Sequence, residues 1–140
     1  MNIVSKFIHV ESRGETDIVD VTARIQQALA ESQLQDGIVT LFVQGSTGAL
    51  TTIEYEEGLL KDLPLALERI APRDASYEHE RKWHDGNGHS HIRASVLGPS
   101  LTIPFIKGRL TLGTWQQVVF VELDIRNRSR DLVAQIIGET

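Results

Sequence analysis

The run Gly37–Val43, GIVTLFV, is the feature that most limits how this chain can fold. It is short, continuously apolar and rich in β-branched side chains, and it is followed by the polar stretch QGSTGALTT. Such a run reads as a strand buried on both faces. Further strand-like segments are Ile3–Glu11, His91–Leu97, Leu101–Ile106, Arg109–Asp124 and Leu132–Ile137, with a turn at Lys107-Gly108. A helical period appears in two places. Ile25, Ala28 and Leu29 share one face behind a cap at Asp20 or Thr22, and Leu60, Leu63, Leu67 and Ile70 share another that Pro72 closes, with Asp62 as the expected cap before Pro64. The pattern predicts an α+β fold in which mixed or antiparallel β-sheets pack with two main helices.

A chain of 140 residues and 15.6 kDa, 41% hydrophobic, can bury one sizeable core and no more. No repeat or linker divides it, so residues 1–140 are expected to form a single compact domain. The net charge of −5 argues against a nucleic-acid binder that relies on a broad basic surface. With no cysteine, disulfides, thiolate ligands and a cysteine nucleophile are excluded, and a reducing cytoplasm fits. The N-terminal stretch breaks its apolar pattern at Ser5, Lys6 and His9, so it reads as neither a signal peptide nor a membrane span. A soluble, cytoplasmic protein without nucleic-acid or membrane partners is expected.

Four of the five histidines, His79, His84, His89 and His91, are gathered in YEHERKWHDGNGHSH. In an extended segment His89 and His91 would share one face, and the loop at Gly86, Asn87 and Gly88 would let His79 or His84 supply a third nitrogen. His79, His89 and His91 are therefore the candidate metal ligands. An open fourth position would receive water or substrate, and imidazole favours a transition metal, zinc above all, over magnesium or calcium. A solvated polar loop is the competing interpretation, because Glu78, Glu80, Arg81, Lys82 and Asp85 surround the histidines.

Other constellations are less specific. QGSTGALTT could hold a phosphate through backbone N–H groups and the hydroxyls of Ser46, Thr47, Thr51 and Thr52, or could be a turn whose hydroxyls cap the next element. Glu54 could serve as ligand, base or solvated charge. Trp115 beside Gln116 suits a ring with polar edges, or equally a core tryptophan beside a surface amide. Arg126, Arg128 and Arg130 offer forks for phosphate, although a solvated turn is the simpler reading.

Taken together, STGALT, YEHE, NGHSHIRAS, LGPSLTIP and GRLTLGTWQQ resemble the YjbQ-like family, whose members often carry the label secondary thiamine-phosphate synthase. The resemblance covers almost the whole chain. It implies a compact α+β protein assembled as a homotrimer with clefts near subunit boundaries. It sets His79, His91 and Glu54 on the family's functional positions as the candidate catalytic residues, and Gly113, Thr114, Trp115 and Gln116 on its G-T-W-Q signature. Many relatives read H-T-T/S-A where this chain has Gly45, Ser46, Thr47 and Gly48, so an imidazole they carry is absent here.

The leading functional expectation is a metal-assisted enzyme acting on a small phosphorylated, heteroaromatic metabolite, with thiamine-phosphate-synthase-like transfer. Ser46 and Thr47 would bind the phosphate, and Trp115 and Gln116 the ring. A metal-dependent hydrolase is the second expectation. A non-catalytic trimeric ligand-binding protein is the third, and the absence of product formation would distinguish it.

Overall fold

A computed structural model describes all 140 residues. In chain order the elements are β1 (Asn2–Ser12), β2 (Asp17–Asp20), α1 (Thr22–Ser32), β3 (Asp36–Val43), β4 (Gly48–Ile53), α2 (Glu57–Ile70), α3 (Glu78–Trp83), α4 (Gly88–Leu97), β5 (Ser100–Ile106), β6 (Arg109–Leu110), β7 (Gln117–Glu122) and β8 (Arg128–Glu139). They form a five-stranded sheet of order β1-β8-β3-β5-β6 and a three-stranded sheet of order β2-β7-β4. Every strand pair is antiparallel, which removes the mixed-sheet alternative.

The two sheets pack face to face. Val39, Leu41, Phe105 and Ile136 of the larger sheet meet Leu50, Val118 and Phe120 of the smaller one, and Ile25 and Leu29 of α1 complete this core. Burying each such side chain stabilises the fold by about 1.5–3 kcal/mol before its ordering entropy is counted. The other face of the small sheet presents Ala49, Val119 and Val121 to Leu67 of α2 and Ala94 of α4. The resulting layers are sheet, sheet with α1, and helix pair. No helix is long and apolar enough to cross a membrane.

Several local expectations are corrected. The strand GIVTLFV exists, but only one face is buried: Val39, Leu41 and Val43 point inward, whereas Ile38 and Phe42 are 41% and 45% exposed. Its outer face belongs to an apolar surface in which the register sets Ile3 beside Ile137 and Ile38, and Phe7 beside Val133 and Phe42. The segment expected as a strand from His91 to Leu97 is the helix α4, whose buried Ser90, Arg93 and Ala94 follow a period near four rather than two. Arg109–Asp124 is not one strand, because a turn separates β6 from β7. Helix α2 starts at Glu57, where the Glu56 carboxylate accepts the N–H groups of Gly58 and Leu59, and Pro64 lies inside the helix rather than at its first turn. The two main helices expected are present as α1 and α2, and α3 and α4 join them.

Candidate functional site

The histidine site is built where α3 turns into α4. His84 adopts a left-handed conformation at φ 55° and ends α3, and Gly86 at φ 70° lets the chain reverse. At Gly88 a Cβ would stand 2.6 Å from the Tyr77 Cβ, so the lack of a side chain there lets the two helices abut. That contact brings the His79 and His91 rings to 4.4 Å between centroids, inclined at 48°. His79 Nε2 lies 3.0 Å from Asp85 Oδ1. His79, Glu80 and Asp85 each offer a ligand atom within 4.8 Å of the others.

Behind these groups runs a polar chain that leads into the sandwich. The Asn87 amide is oriented to donate to His79 Nε2 at 3.0 Å and to Asp85 Oδ1 at 2.8 Å, because the opposite orientation would set its oxygen against both acceptors. Asp124 accepts from Thr47 Oγ1 at 3.1 Å and from Arg128 Nη1 at 2.7 Å. Arg130 Nη2 donates to Thr47 Oγ1 at 2.8 Å, and Nε and Nη2 of Arg130 grip the Glu122 carboxylate at 2.9 and 2.6 Å. Glu122 and Arg130 are fully enclosed at 0% and 3% exposure, a charge pair tolerable only because it is matched and hydrogen-bonded.

Burial works against ionising Asp124, yet hydrogen bonds from the Ile125 N–H and Thr47 and the nearby charge of Arg128 hold its carboxyl below the ordinary value. Burial, reinforced by the neighbouring His79, lowers the His91 pKa below its ordinary 6.5. The His91 imidazole is therefore neutral near pH 7 and keeps a lone pair available.

His89 does not join this group. Two positions along a helix turn the side chain by about 200°, so the spacing that aligns histidines in a strand opposes them in α4. His89 is buried instead, with Nε2 at 2.7 Å from Glu15 Oε2. The same carboxylate group meets Arg73 and Arg93. Of the three expected histidines the structure brings together only the His79 and His91 rings, and the ligand atoms that lie within 4.8 Å of one another are those of His79, Glu80 and Asp85, the last two outside the spacing argument. His84 is exposed at the end of α3.

The family model described as UPF0047 protein YjbQ-like matches residues 6–139. The chain belongs to the UPF0047, YjbQ-like family. A UPF0047 protein of Methanothermobacter thermautotrophicus is 38% identical over 139 residues, which cover 99% of this chain and 95% of that one. The UPF0047 protein YjbQ of Escherichia coli O157:H7 is 34% identical over 121 residues, 85% of this chain and 87% of its own. The crystal structure of a YbjQ-like protein from Sulfolobus solfataricus P2 superposes with a TM-score of 0.94 at 31% identity and 99% coverage of both chains.

Within this UPF0047 chain the remaining candidate residues divide between the two ends of β7. Thr47 and Ser46 lie at the histidine end; Thr47 is buried in the network described above, while Ser46 is exposed and lines a cleft of 190 Å³ with Gly45, Gly48, Ala94, Ser95 and Pro99. Thr51 and Thr52 belong to β4 and do not join them in one loop, contrary to the phosphate-cradle expectation. Glu54, Trp115 and Gln116 are at the far end, because the pairing sets Gly48 opposite Glu122 but Ile53 opposite Gln117. The two groups are separated by roughly 20 Å along the strand.

At that far end Trp115 is 72% exposed, so it is not a core tryptophan. Gln116 clips its own turn: Oε1 accepts the Gly113 N–H at 3.0 Å and Nε2 donates to Thr52 Oγ1 at 3.2 Å. Gln116 and Gly113 also border a cavity of 460 Å³ with Asp20, Thr22 and Gln26. The solvated-turn reading of the arginine triplet fails at Arg130. The signal for this lies in β8, where Arg130 continues the inward alternation of Leu132, Ala134 and Ile136, and in β7, where Glu122 ends an apolar run.

Proposed function

We propose that this UPF0047 chain is a metal-assisted enzyme acting on a small phosphorylated metabolite. A divalent transition metal, zinc first, is held by His79 and His91 with Asp85 and Glu80. The observation that carries this reading is the approach of the two imidazoles to 4.4 Å beside the two carboxylates. Mixed nitrogen and oxygen donors suit zinc, and a metal there would supply a Lewis acid toward a phosphoryl oxygen. The chain's own groups do the rest. Asn87 orients His79, Asp85 faces His79 Nε2, and Thr47 ties this end of the chain to Arg130 and Asp124. Glu54 at the far end of β7 would act only if another copy brought it near.

Thiamine-phosphate-synthase-like transfer to a heteroaromatic ring is the reaction the resemblance adds. It requires Trp115 and Gln116 to face the histidines, which one chain alone does not achieve. A homotrimer would answer that need. Its support is the exposed apolar face of the larger sheet, with Ile3, Phe7, Ile38 and Phe42 uncovered. Hydrolysis is the second reading, favoured because His79, Glu80 and Asp85 gather ligand atoms within 4.8 Å of one another inside one chain. The protein is assigned to the cytoplasm on the same reading.

Elemental analysis after EDTA treatment and zinc reconstitution tests the metal. Formation of thiamine phosphate from its two phosphorylated precursors, assayed beside phosphate release from simple esters, tests the chemistry. Zinc bound in stoichiometric amount together with turnover in either assay supports the proposal. Absence of bound zinc overturns it, and zinc without turnover in both assays leaves a ligand-binding protein.

A further inference from the structure

The end of α1 and the hairpin between β5 and β6 border a cleft of 630 Å³ that includes none of the histidine cluster. Lys107 and Arg109 line it, and no acidic residue does. Neither cation enters an ion pair within the chain. The sequence holds 19 acidic residues to 14 lysines and arginines, so two cations left together without a partner are not a matter of short supply. Asp36 meets the turn through the Lys107 N–H, which its Oδ1 accepts at 3.1 Å, and stands outside the lining. The side-chain amides of Gln33 and Gln35 also line the cleft and form no hydrogen bond within the chain.

The backbone singles out the same place. Three residues other than glycine have a positive φ, and two of them, Gln33 at 63° and Lys107 at 52°, line this cleft. Gln33 closes α1, and Lys107 opens the two-residue turn Lys107-Gly108 that Ile106 and Arg109 flank as a pair. Glycine or asparagine suits both positions better. Each carries instead a long side chain that ends in N–H donors, and such departures from local preference collect at functional sites. The hairpin is also held in place. Gln26 Nε2 donates to the Gly108 carbonyl at 2.8 Å, Gln26 Oε1 accepts the Leu110 N–H at 3.2 Å, and the Gly108 N–H reaches the Gln35 carbonyl at 2.8 Å.

We infer that this cleft is a second ligand site, for a small organic dianion whose phosphate or carboxylate oxygens are met by Lys107 and Arg109. Two unpaired cations on an anchored turn favour two negative charges, and the guanidinium of Arg109 matches the oxygen pair of either group. The organic body follows from size and lining. A volume of 630 Å³ falls in the range of small-molecule sites, and Ala30, Leu34 and Leu110 supply apolar contact beside the donors. Both cations are exposed, so binding is modest and weakens with salt. The inference is independent of the metal reading, because the two sites share no residue.

The probes are phenyl phosphate and phthalate, with inorganic phosphate as the bare ion, titrated at low ionic strength into metal-free protein observed by amide NMR. Saturable shifts at Gln33 and Lys107 to Leu110 are expected with at least one organic probe, at a dissociation constant of about 1 mM or tighter. Which probe saturates tells a phosphate ligand from a carboxylate. Lys107→Gly and Arg109→Gln should each weaken binding roughly fivefold, and Lys107→Gly should do so without lowering the thermal midpoint, since glycine suits that turn. His79→Ala should bind the probes like wild type. Unmoved or non-saturating resonances with both organic probes overturn the site, as does wild-type affinity in both charge variants. Equal affinity for inorganic phosphate and phenyl phosphate overturns the organic body, and loss of binding in His79→Ala transfers the ligand to the histidine cluster.

Discussion

His89 Nε2 and Glu15 Oε2 meet at 2.7 Å and tie the turn between β1 and β2 to the first turn of α4. Arg73 and Arg93 close on the same carboxylate group, so one acid holds three cationic or ionisable partners at the edge of the helix layer. Removing the buried imidazole leaves Glu15 without its best-aligned neighbour and a void in the helix packing.

His89→Ala is therefore expected to lower stability by about 1–3 kcal/mol, the range for losing one partner of a buried polar contact. Zinc stoichiometry should not change. Denaturant unfolding and elemental analysis on the same preparation check both halves, and loss of zinc in this variant would return His89 to the ligand set.

His79→Ala and His91→Ala should behave in the opposite way. Each removes a proposed ligand that is only partly buried, so stability should move by less than about 1 kcal/mol. Zinc affinity should fall steeply, and turnover by at least about a hundredfold. Calorimetric zinc titration of the two variants, compared with His84→Ala as an exposed control, is the measurement. Equal zinc affinity in all three would place the metal elsewhere or nowhere.

Much of the fold is legible in the sequence, and the parts that are not share a physical origin. The strand at Gly37–Val43 and the helical face of Ile25, Ala28 and Leu29 follow from local composition and period, which tertiary packing merely uses. The segment from His91 to Leu97 is ambiguous in the sequence because a short apolar run carries no decisive period by itself, and its packing against the small sheet selects the helix. That one element decides the site: with a helix in place of a strand, His91 turns to His79 and His89 turns to Glu15. Glu122 and Arg130 are harder to read, since neither charge signals burial until the other is known to face it across the sandwich. The contact of Gly45 with Arg130 depends on where β3 ends relative to β8.

Gln116→Ala tests whether the G-T-W-Q signature positions a turn or touches a ligand. The structure gives Gln116 two internal hydrogen bonds, to Gly113 and Thr52, so its loss should loosen residues 113–116 and cost about 1 kcal/mol. Hydrogen exchange at the Gly113 amide should accelerate. A ligand-only role predicts a weaker substrate affinity with that amide unchanged.

Assembly is tested on the outer face of the larger sheet. A homotrimer should scatter light as about three times the 15.6 kDa chain mass at micromolar concentration. Phe42→Lys places a charge in the row shared with Phe7 and Val133 and should shift the protein toward monomer without unfolding it, because Phe42 is already 45% exposed in the single chain. A wild-type monomer would refute the trimer, and an unaffected trimer in the variant would move its interface to another face.

The pH dependence of stability should carry opposite contributions from His9 and His91. Hydrogen bonds to Asp131 and then to Glu11 raise the His9 pKa above its ordinary 6.5, so folding favours the protonated ring. That contribution is fully present below about 6.5 and is lost as the pH rises through the higher folded value. Burial, followed by His79, lowers the His91 pKa, so folding favours its neutral ring. Its contribution is present above about 6.5 and is lost as the pH falls toward the lower folded value. The two windows lie on either side of the ordinary histidine pKa, and their combined effect is a stability maximum between them. Because His9 is exposed, its share should be small and should shrink with added salt, whereas the His91 share should persist. Histidine NMR titration in EDTA should show His9 above and His91 below 6.5. His9→Gln should flatten only the alkaline side of the stability curve, and a change confined to the acid side would contradict the assignment.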